Sequence, residues 1–346
     1  MHAHGIVDLF AGPGGLDVAA TWLGIPAIGI ELDDNACTTR RAAGLRTEQG
    51  DVRDWGPEKF PEANILAAGP PCQTYTVAGS GTGRQDLDNV LSFAKRMANG
   101  EDVTADLAKL SDPRTALVLE PLRWVLEAIE IGRPYDAIIL EQVPAVMPVW
   151  AVMDEILVGL DYSVDHGVLR TEQYGVPQTR RRAVLIARRR DKGSVTLPTA
   201  THHPYRKGAP RPEEAEGIKP WVAMGEVLRR PKPFVVISNY GTGGDPKVRG
   251  QRNSTEPSAT VTGKISRNRV LTDGTFSRFS NAEAGLLQTF PPDYPWGGSD
   301  VSQQIGNAIP PLLAAHVIVA ALGLDPELLN DLTASNLPLW SETTAH

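Results

Sequence analysis

The sequence predicts a doubly wound α/β fold, in which helices cover both faces of a largely parallel sheet. Three observations lead to this prediction. Short β-branched runs alternate with amphipathic stretches through the first half of the chain. A glycine-rich turn, "AGPGG", joins the first run to the first amphipathic stretch. Acidic residues stand close to the ends of two predicted strands, as in folds that bind a ribose at the carboxyl edge of a sheet.

Each element of this fold follows from its local pattern. The predicted strands are the apolar runs "GIVDLF", "AIGIEL", "ANILAAG", "YDAIILEQV" and "AVLIARR". The predicted helices are residues 16–23, "NACTTRRAAG", which stops at Gly44, "TALVLEPLRWVLEAI" and the buried "IPPLLAAHVIVAAL". Residues 86–111 are polar and helical in pattern, so we expect an insertion or lid there.

The texture of the chain changes after Arg190, where proline becomes frequent and the alternation of strands and helices stops. Helical periodicity resumes near Ser280. We therefore predict a main domain and a second, irregular unit. The predicted boundaries are 1–189 for the main domain, 190–270 for the irregular unit, 271–325 for the return to the main domain and 326–346 for a peripheral C-terminal tail.

Composition excludes several classes of protein. The chain has 346 residues, 41% hydrophobic and 22% charged, which is enough for one large globular domain and a smaller one. We expect a cytoplasmic protein, because no apolar stretch approaches the roughly 20 residues of a membrane span and the N-terminus lacks a signal-peptide pattern. Two cysteines, Cys37 and Cys72, cannot build a disulfide framework or a cysteine-rich zinc site.

Charge is distributed unevenly along the chain. The formal net charge is -7, yet residues 178–270 hold 20 of the 34 Lys and Arg residues and only 7 of the 41 Asp and Glu residues. Such a basic segment favours a surface that meets phosphates, and a solvated basic face is the alternative reading. A metal site is not expected, since His202 and His203 have no Cys or acidic partner at ligand spacing.

The segment "DLFAGPGGLD" follows a strand and opens a helix, where backbone N–H groups can approach a ligand closely. A purely structural tight turn is the alternative. Glu31 ends the second predicted strand and Asp51 follows "TEQG", positions from which carboxylates can bind a ribose and an adenine amino group. We expect an adenosine-containing cofactor, although a nicotinamide oxidoreductase would show the same signs.

Cys72 begins a Gly/Ser/Thr-rich stretch, "CQTYTVAGSGTG", directly after Pro70 and Pro71. A lone cysteine is commonly a small core residue. Here the residues after it are too polar for a core, so we interpret Cys72 as a presented thiol that acts as a nucleophile in its thiolate form.

At this point "GPPCQTYTVAG" resembles the catalytic loop of the DNA (cytosine-5) methyltransferases, and the other motifs of that family follow in order. "DLFAGPGGLD", Glu31 and "GDV" look like its first three motifs, and "EQV" at 141–143 takes the place of its Glu-Asn-Val. "QTRRR", "EPSATVTG" and "QQIGNAIP" are similar to its later motifs. The resemblance runs from about Gly5 to Leu322 and implies a Rossmann-like S-adenosylmethionine-dependent methyltransferase domain with a small irregular target-recognition domain.

The resemblance also implies residue roles. Cys72 would add to cytosine C6, Glu141 would hold a proton at N3, and Arg182 would contact O2 of the base with Arg180 in support. For both arginines, phosphate binding is the alternative. S-adenosylmethionine would be held by eight residues and leave as S-adenosylhomocysteine. These residues are Phe10, Gly12, Gly14, Gly15, Glu31, Asp51, Pro70 and Asn307.

The expected partner is double-stranded DNA, bound by a monomer that flips its target cytosine into the site. The expected DNA contacts are Gln73, Ser80, Gln178, Arg249 and Arg252. Gln142 departs from the usual Asn of the family, so altered kinetics or pocket shape is an open alternative. A tRNA-directed methyltransferase, an inactive DNA-binding paralogue, the existence of a cognate restriction enzyme and transfer of a group other than methyl also stay open at this point.

Overall fold

The computed structural model of the protein describes residues 4–71, 86–238 and 250–344. The strands are β1 Ile6–Leu9, β2 Ala27–Glu31, β3 Arg46–Gln49, β4 Ile65–Ala68, β5 Ala137–Gln142, β6 Tyr162–Arg170, β7 Gln178–Thr179, β8 Arg181–Arg189, β9 Val235–Ser238, β10 Gln251–Asn253, β11 Ser258–Ala259, β12 Asn268–Thr272 and β13 Thr275–Ser277. The α-helices are α1 Gly15–Trp22, α2 Asp34–Ala42, α3 Leu87–Ala98, α4 Thr104–Leu107, α5 Glu120–Glu130, α6 Met147–Gly159, α7 Met224–Val227, α8 Asn281–Leu287, α9 Val301–Asn307, α10 Pro311–Leu322 and α11 Trp340–Thr343.

A seven-stranded sheet forms the centre of the molecule, with the order β3-β2-β1-β4-β5-β8-β6. The first five strands are parallel, whereas β8 runs antiparallel to both β5 and β6. Buried apolar residues pack on both faces of this sheet, and α10 covers one face against α1. The doubly wound α/β prediction is confirmed. The strand order reverses between β1 and β4, which is where open α/β sheets bind their ligands.

Local signals explain the elements that flank this reversal point. β1 is fully buried, so its "IVDL" run stays apolar apart from Asp8. Helix α2 begins where the Asp33 side chain accepts a hydrogen bond from Ala36 N at 2.9 Å. It ends at Ala42, and Gly44, two residues further on, has a φ of 69°, the left-handed conformation typical of a helix terminus.

The sequence analysis did not predict two strands of the sheet. β3 reads "RTEQ" and β6 reads "YSVDHGVLR", and both lie at the edges of the sheet. An edge strand is less buried than a central one, so neither carries the apolar run that marks a strand. The predicted helix "TALVLEPLRWVLEAI" also begins differently, because Pro113–Leu119 forms a 3-10 helix before α5.

The predicted insertion at 86–111 contains the helices α3 and α4. α3 is amphipathic rather than polar throughout, since Val90 and Ala94 are fully buried in the main core. Asp86 Oδ2 accepts a hydrogen bond from Ser111 N at 3.1 Å, so the two ends of the insertion meet.

The second unit is more regular than the sequence indicates. A four-stranded antiparallel sheet, with the order β10-β9-β12-β13, extends past the predicted boundary at 270 to Ser277. It has its own apolar cluster around Phe234, Val236 and Val270. The strands of this sheet are three to five residues long in the described part of the chain, too short for alternation to stand out from the prolines.

The C-terminal segment contradicts the expectation of a peripheral tail, because Trp340 is only 4% exposed and packs into a core cluster. Among the described residues, one helical stretch, Val301–Leu322, has the length and apolar composition of a membrane span. Since 72% of its apolar window is buried inside the protein, core packing accounts for that composition.

Candidate functional site

A cavity of about 730 Å³ opens at the carboxyl edge of the sheet, beside β1, β2, β4 and β5. Its size is within the range of sites for cofactors and small ligands. Its wall includes the predicted residues Phe10, Gly12, Gly15, Glu31, Asp51, Pro70, Glu141, Arg182 and Asn307. The structure therefore brings residues from both halves of the chain to one site.

The glycine-rich turn has the conformation and close contacts that only glycine allows. Gly14 has a φ of 102°, and a Cβ there would lie 2.4 Å from the Leu45 side chain. A Cβ on Gly15 would lie 2.2 Å from Ile309 O, in the segment that returns from the end of the chain. Gly14 faces away from the cavity, so its contribution is the turn itself.

Glu31 links this turn to the end of β2. Its carboxylate accepts hydrogen bonds from Gly12 N at 2.7 Å, Leu32 N at 2.8 Å and Asp33 N at 2.7 Å. A carboxylate has about four lone-pair sites. Glu31 can therefore hold the turn and still accept a hydrogen bond from a ligand hydroxyl.

Asp51 lies across the cavity wall, where its side chain is held by Arg53. Arg53 Nε and Nη2 donate to the two carboxylate oxygens at 2.9 and 2.6 Å. These hydrogen bonds lower the pKa of Asp51, so the side chain is a carboxylate at neutral pH.

A buried charged group below the turn was missed in the sequence analysis. Arg40 donates two hydrogen bonds of 2.8 Å to the carboxylate of Asp17, and both side chains are inaccessible. Asp8, which lines the cavity, stands beside them. Burial raises the pKa of the Asp8 carboxyl, and Asp17 raises it further while Arg40 opposes the rise. The signal was present, since Asp8 and Asp17 begin and end the quoted segment "DLFAGPGGLD".

Glu141 and Arg182 form an ion pair at the opposite end of the cavity, between Oε1 and Nε. Glu141, near the end of β5, pairs with Val184 of the antiparallel neighbour β8. Arg182 lies two residues from Val184, so its side chain is on the same face of the sheet as that of Glu141. Within the described residues Oε1 receives no aligned hydrogen bond, so the pair is held by charge. Burial raises the pKa of Glu141, and the positive charge of Arg182 opposes that rise.

Gln142, the next residue, is buried and joins two backbone segments. Its Nε2 donates to Pro70 O at 2.5 Å, and its Oε1 accepts from Val143 N at 2.5 Å. Pro70 is two residues before Cys72 and lines the cavity. Gln142 therefore anchors the chain just ahead of the predicted nucleophile.

Comparison with known proteins identifies the class of this site. Residues 5–95 and 109–227 match the family described as C-5 cytosine-specific DNA methylase. The chain belongs to this family. The resemblance seen in the motifs is confirmed, and the chain is a DNA cytosine-C5 methyltransferase.

Curated relatives of the methylase are type II methyltransferases. M1.HphI of Haemophilus parahaemolyticus is 26% identical, with 92% of the methylase and 87% of the relative covered. M.AplI of Arthrospira platensis is 27% identical, with 90% and 84% covered. The family assignment removes the nicotinamide oxidoreductase alternative and carries with it the use of S-adenosylmethionine in general.

Solved structures share the fold of the methylase. The Dnmt2 methyltransferase of S. pombe has a TM-score of 0.60 at 16% identity and covers 93% of the methylase and 98% of its own chain. The methyltransferase EhMeth of Entamoeba histolytica has a TM-score of 0.58 at 13% identity, with 96% and 100% covered. These likenesses confirm the predicted fold class.

Gln178 corrects one prediction for the methylase. Its side chain is fully buried, donates to Leu287 O at 2.9 Å and to Gln288 Oε1, and accepts from Val261 N at 2.9 Å. The predicted DNA contact is wrong in this structure, because both polar atoms of the Gln178 side chain are used to join β7 to the second unit and α8.

Arg180 is also buried in the methylase, and its Nη1 donates to Val261 O and Gly306 O at 3.0 Å each. It does not line the cavity, and it contacts the segment just before Asn307 through Gly306 O. Its supporting role stays a prediction. Arg252 stacks on Tyr205 with its guanidinium 4.3 Å from the ring centre. Its contact with DNA stays a prediction.

Other predicted positions of the methylase cannot be placed, since Cys72, Gln73, Ser80 and Arg249 lie outside the described residues. Asn307 lines the cavity, and its Oδ1 accepts a hydrogen bond from Gln303 Nε2 at 2.7 Å. In the described part of the chain no cluster of three or more His, Cys, Asp or Glu side chains could hold a metal ion.

Proposed function

We propose that the methylase flips a cytosine out of double-stranded DNA and methylates it at C5, with Cys72 as the nucleophile. The observation that carries this proposal is the shared cavity. Its wall holds the glycine-rich turn at one end, the Glu141–Arg182 pair at the other, and Pro70 and Pro71 immediately before Cys72. A cofactor and a base could therefore meet beside the thiol.

The residues of the cavity suit S-adenosylmethionine. Apart from the two residues adjacent to Gly12, no atom of the described residues lies within 4 Å of where a Cβ of Gly12 would stand, so the turn leaves open space for a ligand. Glu31 offers a carboxylate to the ribose hydroxyls, and Asp51 offers an ionised acceptor to the adenine amino group. Phe10, Pro70 and Asn307 complete the proposed wall, with Gly14 and Gly15 shaping the turn. When bound, S-adenosylmethionine supplies the methyl group.

The protein side chains would activate the cytosine. The Cys72 thiolate adds to C6, and the Sγ–C6 bond forms as electron density moves to N3. Glu141 donates a proton at N3, which its raised pKa favours, because a carboxyl that holds its proton more tightly stays a donor closer to neutral pH. Arg182 donates to O2 and orients the ring.

The cycle closes without a metal ion in this proposal. After C5 has gained its methyl group, a base removes the C5 proton and the electron pair of that bond restores the C5–C6 double bond. The Sγ–C6 bond breaks and Cys72 leaves as a thiolate, while Glu141 recovers its proton from N3. The covalent bond between Cys72 and the cytosine ring is thereby broken.

Basic side chains of the second unit would bind the phosphates of the DNA backbone. Exposed basic side chains of this unit that form no ion pair in the described part of the chain include Arg206, Lys207, Lys264 and Arg267. Such side chains neutralise phosphates and position the protein on a duplex. A role as the modification partner of a restriction enzyme is supported by the type II relatives. A cytoplasmic monomer remains our prediction.

The test compares the two cysteines of the chain. The full chain and its Cys72→Ala and Cys37→Ala variants are incubated with methyl-labelled S-adenosylmethionine and a duplex DNA library. We expect transfer by the wild type and Cys37→Ala and none by Cys72→Ala, because Cys37 is buried in α2. Full transfer by Cys72→Ala would contradict the covalent mechanism. Transfer to RNA and not to DNA would overturn the substrate.

A further inference from the structure

Helix α11 packs directly behind the glycine-rich turn. Trp340 is buried in a cluster with Val18 of α1, Ala43 after α2 and Tyr294. Its indole Nε1 donates to Ala43 O at 3.0 Å, and its ring meets that of Tyr294 edge-on at 5.4 Å. The C-terminal segment therefore joins the two helices that follow β1 and β2.

Asp293 fixes the start of this last helix. Its carboxylate accepts hydrogen bonds from Trp340 N at 2.6 Å, Ser341 N at 3.0 Å and Ser341 Oγ at 2.7 Å. Two of these bonds satisfy free N–H groups at the helix N-terminus, and the third holds the Ser341 hydroxyl. As a result, Trp340 and Tyr294, which follows Asp293, are held in a fixed relation.

Tyr294 connects Trp340 to the glycine-rich turn. Its hydroxyl is buried and donates to Pro13 O at 2.5 Å. A Cβ on Gly14 would lie 2.9 Å from the same hydroxyl, so the tyrosine packs against the back of the turn. Pro13 lines the cavity, whereas Tyr294 and Trp340 do not. Among the described residues no other hydrogen-bond donor to Pro13 O is present.

We propose that Tyr294 and Trp340 are positioning residues for the cofactor, which hold the turn at residues 11–15 in its binding conformation from behind. Gly12 and Gly14 in the turn have positive φ angles of 56° and 102°, and Phe10, directly before it, has a φ of 61°. For Phe10, which is not a glycine, this conformation is strained and persists only where the surrounding structure holds it. The hydroxyl of Tyr294 reaches the centre of the turn and supplies one such constraint.

The alternative is that these aromatic residues only fill the core. Tyr294→Phe separates the two roles, since phenylalanine keeps the ring and its packing and removes only the hydrogen bond to Pro13 O. Trp340→Phe similarly removes the bond to Ala43 O. Trp221→Phe is the matched control, because Trp221 is buried against Tyr205 in the second unit, away from the turn.

The inference rests on the proposed binding of S-adenosylmethionine in the cavity. The readouts are the Kd for S-adenosylhomocysteine by calorimetry, KM and kcat for methyl transfer, and amide exchange of residues 11–15 without ligand. We expect Tyr294→Phe to weaken binding about fivefold, the factor that one net hydrogen bond corresponds to. The KM for S-adenosylmethionine should rise with it, kcat at saturation should stay near the wild-type value, and exchange in the turn should accelerate. Trp340→Phe should change these values in the same direction.

Each outcome bears on one claim. Unchanged Kd and unchanged exchange in Tyr294→Phe, with any loss of melting temperature equal to that of Trp221→Phe, would overturn the positioning role. Equal weakening of Kd in the Trp221→Phe control would also overturn it. Failure of the wild type to bind S-adenosylhomocysteine at all would instead contradict the proposed cofactor site.

Discussion

Gln142→Ala removes the anchor between the end of β5 and the segment that leads to Cys72. The substitution leaves Pro70 O and Val143 N without the hydrogen bonds of 2.5 Å that Gln142 makes. A buried polar group that loses its partner costs about 1–3 kcal/mol. If water reaches one of the two groups and the other stays unpaired, we therefore expect the free energy of unfolding to fall by about 1–3 kcal/mol.

The larger effect should be on catalysis. A displacement of about 1 Å in a reacting group lowers a rate on the order of a hundredfold. Because Pro70 is two residues from Cys72, we expect turnover of Gln142→Ala to fall by about that factor, with DNA affinity nearly unchanged. The assay is single-turnover transfer of labelled methyl to duplex DNA, with urea unfolding measured on the same samples.

Gln142→Asn is the matched control, because asparagine keeps the amide on a side chain shorter by one methylene. This variant has the residue usual in the family, and we expect its turnover to stay within about tenfold of the wild type. Wild-type turnover by Gln142→Ala would refute the anchoring role. A loss as large in the Asn variant as in the Ala variant would show that amide chemistry is not what matters at this position.

Three further predictions concern buried titratable side chains. Glu141→Gln should lower the chemical step by about 10²–10⁴-fold at unchanged folding; weaker DNA binding as its sole effect, seen by titration, would contradict the assigned role. Asp17→Asn breaks the buried pair with Arg40 and should destabilise the fold by about 3–5 kcal/mol; an unchanged melting temperature would exclude this. Burial lowers the pKa of His202 and His316 to about 4, so each ring binds its proton more weakly in the folded protein and stability should fall as the pH drops from about 6.5 towards 4. His316→Gln should flatten this pH dependence of the melting temperature, and an equally steep dependence would contradict it.

Central elements of the fold were predictable because their burial imposes a pattern. β1 and β4 are buried at every position. The turn between β1 and α1 requires glycines, because of its positive φ angles and close contacts. The edge strands β3 and β6 were not predictable, since partial exposure permits polar residues there. The antiparallel sheet of the second unit was hidden by its short strands.

The candidate site likewise contains residues that the sequence predicts and residues that it does not. Glu31, Asp51, Glu141 and Arg182 were found because their chemistry stands in recognisable motifs, and all four line the cavity. Gln178 was misread as a DNA contact, because a motif shows which residue is required and not whether its side chain is buried. The contact from Tyr294 to Pro13 joins residues 281 positions apart, and no local pattern signals it.

Covalent trapping on 5-fluorocytosine tests the central claim most directly. The full chain is incubated with S-adenosylmethionine and duplex DNA that contains 5-fluorocytosine, and the products are separated on a denaturing gel. Fluorine at C5 cannot leave as a proton does, so the Sγ–C6 bond should persist as a protein–DNA adduct for the wild type and Cys37→Ala and be absent for Cys72→Ala. An adduct with Cys72→Ala, or none with a wild type that methylates ordinary DNA, would contradict the account.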